Sequence, residues 1–156
     1  MTSRLTDPNV KFMTDQQRLE PMGPPMVEVD DQICLQYSRC EKCSAAVFPP
    51  QPSCARCGTD HVRIHTTPAQ GDLWSWTIQR FRPSAPPYDG PDHFEPFGVA
   101  IVRFADDLRV MGRFAGWDRT EVRMGMPVRT RRYAHHLGCG NELTTYEFVP
   151  ATEVER

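Results

Sequence analysis

No stretch of this 156-residue sequence is apolar over the length a bilayer requires, and Met1–Val10 carries no basic-then-apolar leader with a cleavage site. A soluble, cytoplasmic protein with no membrane role is therefore expected. Charge of one sign is also scarce, since 18 Lys and Arg face 20 Asp and Glu for a net charge of −2. The chain as a whole is no polyanion binder, and electrostatics must be judged region by region. Catalytic frames are missing too: there is no recognisable Ser-His-Asp arrangement, no phosphate-binding glycine loop and no H-E-x-x-H. Independent catalysis thus has little support, and no catalytic residue is assigned.

What is present suggests many short elements. Hydrophobic residues make up 39% of the chain, enough for one modest core. Fifteen prolines and ten glycines punctuate the sequence without becoming low complexity, which favours a mainly β fold joined by turns.

Four of the six cysteines fall in "CEKCSAAVFPPQPSCARCG", as the pairs Cys40/Cys43 and Cys54/Cys57. Two residues between thiolates let both sulfurs face one ion, and ten residues between the pairs can fold as a hairpin that delivers the second pair. Cys40, Cys43, Cys54 and Cys57 therefore suit a single structural zinc ion, Zn2+. Iron in a rubredoxin-like site and a dithiol or disulfide remain the rivals. Gly58 can take the positive φ that closes the second knuckle, and Arg39 and Lys42 would partly offset the site's charge. Four cysteines close the metal's shell, so the site reads as a clasp rather than a reaction centre. Cys34 and Cys139 lack such partners and are expected to act as small apolar residues, with His135 and His136 in a polar turn before Gly138 and Gly140.

The expected organisation begins with a proline-broken acidic arm over 1–31, with a helical turn or two around Asp15–Leu19. A zinc ribbon follows over 32–68, entered by a strand in which Ile33, Leu35 and Tyr37 alternate and left by one in which Val62, Ile64 and Thr66 alternate. Five strands, over 73–81, 97–104, 108–114, 126–134 and 142–149, suit a five-stranded OB-fold barrel over 69–150, before a tail at 151–156. A generic β-sandwich is the rival. A tight turn is expected at Asp106–Asp107 and one short helical turn within 115–125. The long loop 82–96 lies at an edge where OB folds often bind ligands, which makes Phe94 and Phe97 its candidate apolar anchors.

The chain resembles the bacterial and archaeal proteins that join a rubredoxin-like zinc ribbon to an OB-fold domain and work with acyl-CoA enzymes. The resemblance spans Ile33 to Pro150 and rests on "RCEKC" at 39–43, "FPP" at 48–50, "CARCG" at 54–58, Gly71 with "WSWT", "PFGVAIV" at 96–102, "MG" at 111–112 and "GMPV" at 125–128. Ser44 departs from it, standing where glycine is frequent, and the proline-broken arm stands where many members carry a regular helical pair. The resemblance implies an accessory subunit in a hetero-oligomer with a thiolase-like catalytic subunit. Such complexes are thiolases, aldolases acting on steroid side-chain CoA esters, or hot-dog-fold hydratases. The partner would carry the catalytic groups, while this chain stabilises the complex and helps receive a CoA thioester.

Residues 97–132 hold eight arginines against four acids. Arginine's planar fork suits phosphate oxygens, so Arg129, Arg131 and Arg132 are candidates for contact with CoA or a partner, although most such side chains are solvated or paired. Phe48, Pro49 and Pro50 at the ribbon's hairpin tip are candidate partner contacts. A single-stranded nucleic-acid binder is the rival from another class, with Trp74, Trp76, Phe81, Tyr88 and Trp117 as possible stacking platforms. Trp74 and Trp76, two residues apart on one strand, are expected on the same face, where a core or subunit-contact role outweighs stacking.

Overall fold

The computed structural model describes residues 25–84, 90, 93–118, 121–137 and 140–152. The chain enters them as β1 (Met26–Val29), which turns through Asp30 and Asp31, both at positive φ, into β2 (Gln32–Cys40). The expected arm thus ends earlier than residue 31: Met26 pairs with Leu35 and Val29 with Gln32 in an antiparallel hairpin. Most of the arm, with its expected helical turns, lies outside the described residues.

The next two strands, β3 (Ala46–Val47) and β4 (Val62–Thr66), both pair with β2. As the common partner of this sheet, β2 is buried on more than one face: Cys34, Leu35, Tyr37 and Ser38 are all buried, beyond the simple alternation of Leu35 and Tyr37. By contrast β4 pairs only with β2, and Ile64 is 55% exposed, so the Val62–Ile64–Thr66 alternation does not mark an inward face.

Five further strands close a barrel: β5 (Gln70–Gln79), β6 (Phe97–Arg103), β7 (Arg109–Phe114), β8 (Pro127–His136) and β9 (Glu142–Pro150). Their order around the barrel is β5-β6-β7-β9-β8, with β7 and β9 parallel and the other described pairs antiparallel. This Greek-key closure is the OB fold, and it leaves no free barrel edge. The β6–β7 turn is tight because Asp106 and Asp107 both take positive φ, 62° and 55°. Aspartate tolerates that region better than most residues, and two such residues match the twist of a hairpin. The described part of 115–125 forms turns, with no helical turn among the described residues there. No helix among them is long and apolar enough to cross a membrane.

One departure from strict alternation matters. The register between β5 and β6 shifts between Leu73 and Ser75, a bulge that reverses the facing of the residues beyond it. Trp74 therefore points outward, 45% exposed, while Trp76 packs against the core and meets Phe114 edge-on at 6.3 Å. The expectation that the two share a face is corrected by this extra residue.

Ribbon and barrel share one core. Leu35 and Tyr37 of β2 cluster with Leu73, Val102, Val110, Phe114, Val128 and Phe148 of the barrel. The Leu35 N–H donates to Thr67 Oγ1 at 3.0 Å, and the Tyr37 hydroxyl donates to the Asp106 carboxylate at 2.9 Å. Arg39 is ion-paired with the same carboxylate at 3.5 Å, so it is committed to the barrel turn and does not simply balance the cysteines.

Candidate metal centre and barrel cleft

The first knuckle closes when the Ser44 N–H donates to the Cys40 carbonyl at 3.0 Å, the second when the Gly58 N–H donates to the Cys54 carbonyl at 2.8 Å. Ser44 and Gly58 each follow the second cysteine of a pair, and both sit at positive φ, 59° and 72°. The two knuckles thus repeat one backbone shape, which glycine adopts freely and Ser44 adopts at a cost.

This geometry gathers the four Sγ atoms within 4.8 Å of one another. Cys40 and Cys57 lie 3.6 Å apart, and Cys43 and Cys54 3.5 Å apart. A tetrahedral zinc with Zn–S bonds of ~2.3 Å requires S···S edges of about 3.8 Å, so the donor set fits one zinc ion. Without a cation the thiols conflict. The N–H groups of Cys57 and then Arg56 pull the Cys54 thiol down to about 6, against the effect of burial. An amide hydrogen bond acts to lower Cys43 too, but burial and hydrogen bonds to the other three sulfurs push it up to about 11. A divalent ion removes the conflict by favouring all four thiolates. Cys34 is buried, and desolvation followed by Asp30 raises its pKa, as expected of an inert apolar thiol. Cys139 lies outside the described residues.

A cleft of about 280 Å³ opens on the barrel wall, lined by Phe97, Arg113, Tyr133, His135 and Tyr146, with Gly112 and Thr145. The Arg113 guanidinium sits between two rings, 5.0 Å from the centre of Phe97 and 5.1 Å from that of Tyr133. Phe94 meets Phe97 edge-on at 6.0 Å, so the two anchors expected of loop 82–96 lie together, and Phe97 lines the cleft. Behind Arg113, the buried Glu147 accepts two hydrogen bonds from Arg131 at 2.5 and 3.0 Å, while Arg113 stands 3.8 Å from its other oxygen.

The three candidate arginines of β8 do not act as one group. Arg131 is committed to Glu147; Arg132 pairs with Glu28 of β1 at 3.2 Å; Arg129 faces Gln70 and Val149 in the sheet register. Elsewhere Arg103, Arg109 and Arg123 pair with Asp72, Asp107 and Glu121. The residues that make the cleft, Arg113, Tyr133, His135 and Tyr146, escaped sequence reasoning. The odd-numbered alternation 131, 133, 135 along β8 was the available signal, and His135 and His136 lie within that strand rather than in a polar turn.

At the ribbon's tip, Pro49 is exposed and Pro50 half-buried, whereas Phe48 turns inward and packs edge-on against Tyr146 at 5.7 Å. Among the proposed stacking aromatics, Trp76 and Trp117 pack against the core and Trp74 is covered by Arg109 at 4.1 Å. Phe81 is 75% exposed, and Tyr88 lies outside the described residues. No row of open platforms runs across the described barrel, which weighs against single-stranded nucleic acid as the ligand.

A closed four-thiolate clasp feeding its strands into the core of a five-stranded Greek-key barrel defines a zinc-ribbon/OB-fold protein. Residues 35–62 match the ChsH2 rubredoxin-like zinc ribbon domain and residues 65–132 match the ChsH2 C-terminal OB-fold domain. The chain is 27% identical over 142 residues to a "DUF35 domain-containing scaffold protein" of Pyrococcus furiosus, covering 86% of this chain and 100% of the relative. It is also 27% identical over 128 residues to a "Probable enoyl-CoA hydratase alpha subunit" of Thermomonospora curvata, covering 82% of this chain but only 37% of that longer protein. Among solved structures, a chain of an "Ltp2-ChsH2(DUF35) aldolase" is similar, with a TM-score of 0.56 and 26% identity over 76% of this chain and 85% of that one.

Proposed function

We propose that this protein is a non-catalytic accessory subunit of a heteromeric acyl-CoA enzyme. In this reading it stabilises a thiolase-fold partner that makes or breaks a carbon–carbon bond beside a CoA thioester. The observation that carries it is the joint match of ribbon and barrel to a chain of an aldolase complex, supported by a scaffold relative matched along its whole length. The zinc clasp would then be architecture, and the acid, base or nucleophile would belong to the partner. The acyl group, whether steroid, aromatic or fatty, would be chosen mainly by the partner's pocket. Aldolase is favoured over thiolase because the structural neighbour is a chain of an aldolase.

A second reading, partnership with an enoyl-CoA hydratase of the hot-dog fold, is favoured by the Thermomonospora curvata relative, of which this chain matches only a part. Affinity purification of the full chain from its native cells, with identification of co-eluting proteins, separates the two. A thiolase-fold companion supports the first and a hot-dog-fold companion the second, while recovery of the chain alone with bound RNA overturns both. In Cys54→Ser, loss of metal should lower the yield of assembled complex; undiminished assembly would contradict a structural role for the ribbon.

A further inference from the structure

We infer that the cleft between Phe97, Tyr133 and Tyr146 receives the adenosine bisphosphate end of a CoA ester, with Arg113 as its cation and Phe48 of the ribbon holding Tyr146 in place. The inference rests on the acyl-CoA reading above and names a site for it on this chain. Size comes first. At about 280 Å³ the cleft lies just below the ~300–1,000 Å³ range of small-molecule pockets, room for one ring system with its substituents rather than a whole thioester. The remaining arm and acyl group would extend beyond it.

Charge decides the class of ligand. Glu147 is buried, and Arg131 already supplies a full countercharge through two hydrogen bonds to one carboxylate oxygen. Arg113, 3.8 Å from the second oxygen, is therefore a surplus cation, and no carboxylate among the described residues lines the cleft in front of it. An anion meets a guanidinium that keeps donors to offer, in surroundings that are largely aromatic. His135 adds a further donor on the same wall.

Flat walls point to a base beside the phosphates. Phe97 and Tyr133 flank Arg113, and Tyr146 is fixed on three sides: its hydroxyl donates to the Met111 carbonyl at 2.7 Å, and its ring meets Phe148 at 5.6 Å and Phe48 at 5.7 Å. Gly112 permits this closeness, since a Cβ there would lie 2.7 Å from the Tyr146 ring. A wall so tightly held costs little to order on binding. One isolated cleft suits one base; a nucleic-acid strand needs successive platforms. The Phe48 contact also links the two halves, because the knuckles on either side of Phe48 set where its ring lies.

The test uses the full, zinc-loaded chain, titrated with adenosine bisphosphate, CoA, adenosine, inorganic phosphate and a single-stranded oligonucleotide. Adenosine bisphosphate and CoA should saturate with similar affinity, and adenosine or phosphate alone should bind about tenfold more weakly or worse. Arg113→Gln should weaken bisphosphate binding by about tenfold, Arg113→Lys by less, and Tyr133→Leu should weaken it without removing charge. Phe48→Ala should weaken it although Phe48 does not line the cleft. Absence of saturable binding by bisphosphate and CoA overturns the site, as does unchanged affinity in both Arg113→Gln and Tyr133→Leu with native tryptophan emission. Phosphate binding as tightly as bisphosphate, or the oligonucleotide binding more tightly, overturns it in favour of a bare anion site or a nucleic-acid groove. Measuring co-purification of the catalytic partner with Arg113→Gln separates the two readings. Lost CoA binding by the wild type with retained assembly removes only the site, whereas a wild type that binds CoA but has no partner removes the accessory role.

Discussion

Stripping the metal should open the ribbon between its strands while leaving the barrel folded. A structural zinc contributes about 10–16 kcal/mol in small zinc-finger peptides, comparable to the ~5–15 kcal/mol that is the whole stability of an ordinary domain. Between Glu41 and His61 nothing can replace it. Cys54 is the one buried residue of that segment, and Phe48 is half-buried, so its contribution stays below the ~1.5–3 kcal/mol of a fully buried large side chain. The positive φ of Ser44 in the first knuckle adds a backbone preference against the closed form. The barrel keeps its closed hydrogen bonding and the core residues Leu35 and Tyr37, which precede Cys40 on β2 and do not depend on the hairpin. The three tryptophans, Trp74, Trp76 and Trp117, all lie in the barrel or its loops and so report on it alone. After chelation, trypsin should cut rapidly after the exposed Lys42 and Arg56 while tryptophan emission stays at its native wavelength. If those bonds stay resistant, or emission shifts red in step with metal release, then ribbon and barrel unfold as one unit and the argument is wrong.

Three further outcomes follow from particular contacts. The hydroxyl of Thr130 is buried without a hydrogen-bond partner among the described residues, so Thr130→Val should stabilise the protein by about 1 kcal/mol in urea denaturation; a loss of stability would show a partner for that hydroxyl. Trp76→Ala should cost about 2–3 kcal/mol, somewhat less than a fully buried tryptophan, and Trp74→Ala under about 1 kcal/mol, since Trp74 offers only exposed contacts with Arg103 and Arg109; equal costs would refute the bulge. Burial pushes the Tyr146 hydroxyl up to about 12 in the folded state, above the ~10 of an unfolded chain, so its contribution is complete below pH ~10 and is lost as pH rises toward 12. Tyr37 shifts the same way, through burial first and then its hydrogen bond to Asp106. Alkaline denaturation of Tyr146→Phe should accordingly be less steep over that window, and an unchanged slope would count against the burial.

Much of this architecture was legible in the residues. Cysteine spacing specifies the clasp because chain geometry lets C-x-x-C present two sulfurs to one ion whatever surrounds it. The barrel strands were visible because β-rich runs between turn residues are local features, and Asp106–Asp107 marked its hairpin through the backbone tolerance of aspartate.

What the sequence determined by itself, then, was the order of elements and the four-sulfur metal site, because both follow from short-range spacing. Tertiary structure alone decided which side chains meet. One extra residue at the β5 bulge separates Trp74 from Trp76, and the pairing of β8 with β9 places Arg131 opposite Glu147. Barrel closure brings Arg113 of β7 up to that same carboxylate and so leaves it as the surplus cation of the cleft. Phe48, which as a sequence looks like an exposed tip, turns inward onto Tyr146. These facts depend on register and closure across residues far apart in the chain, and no local periodicity encodes them.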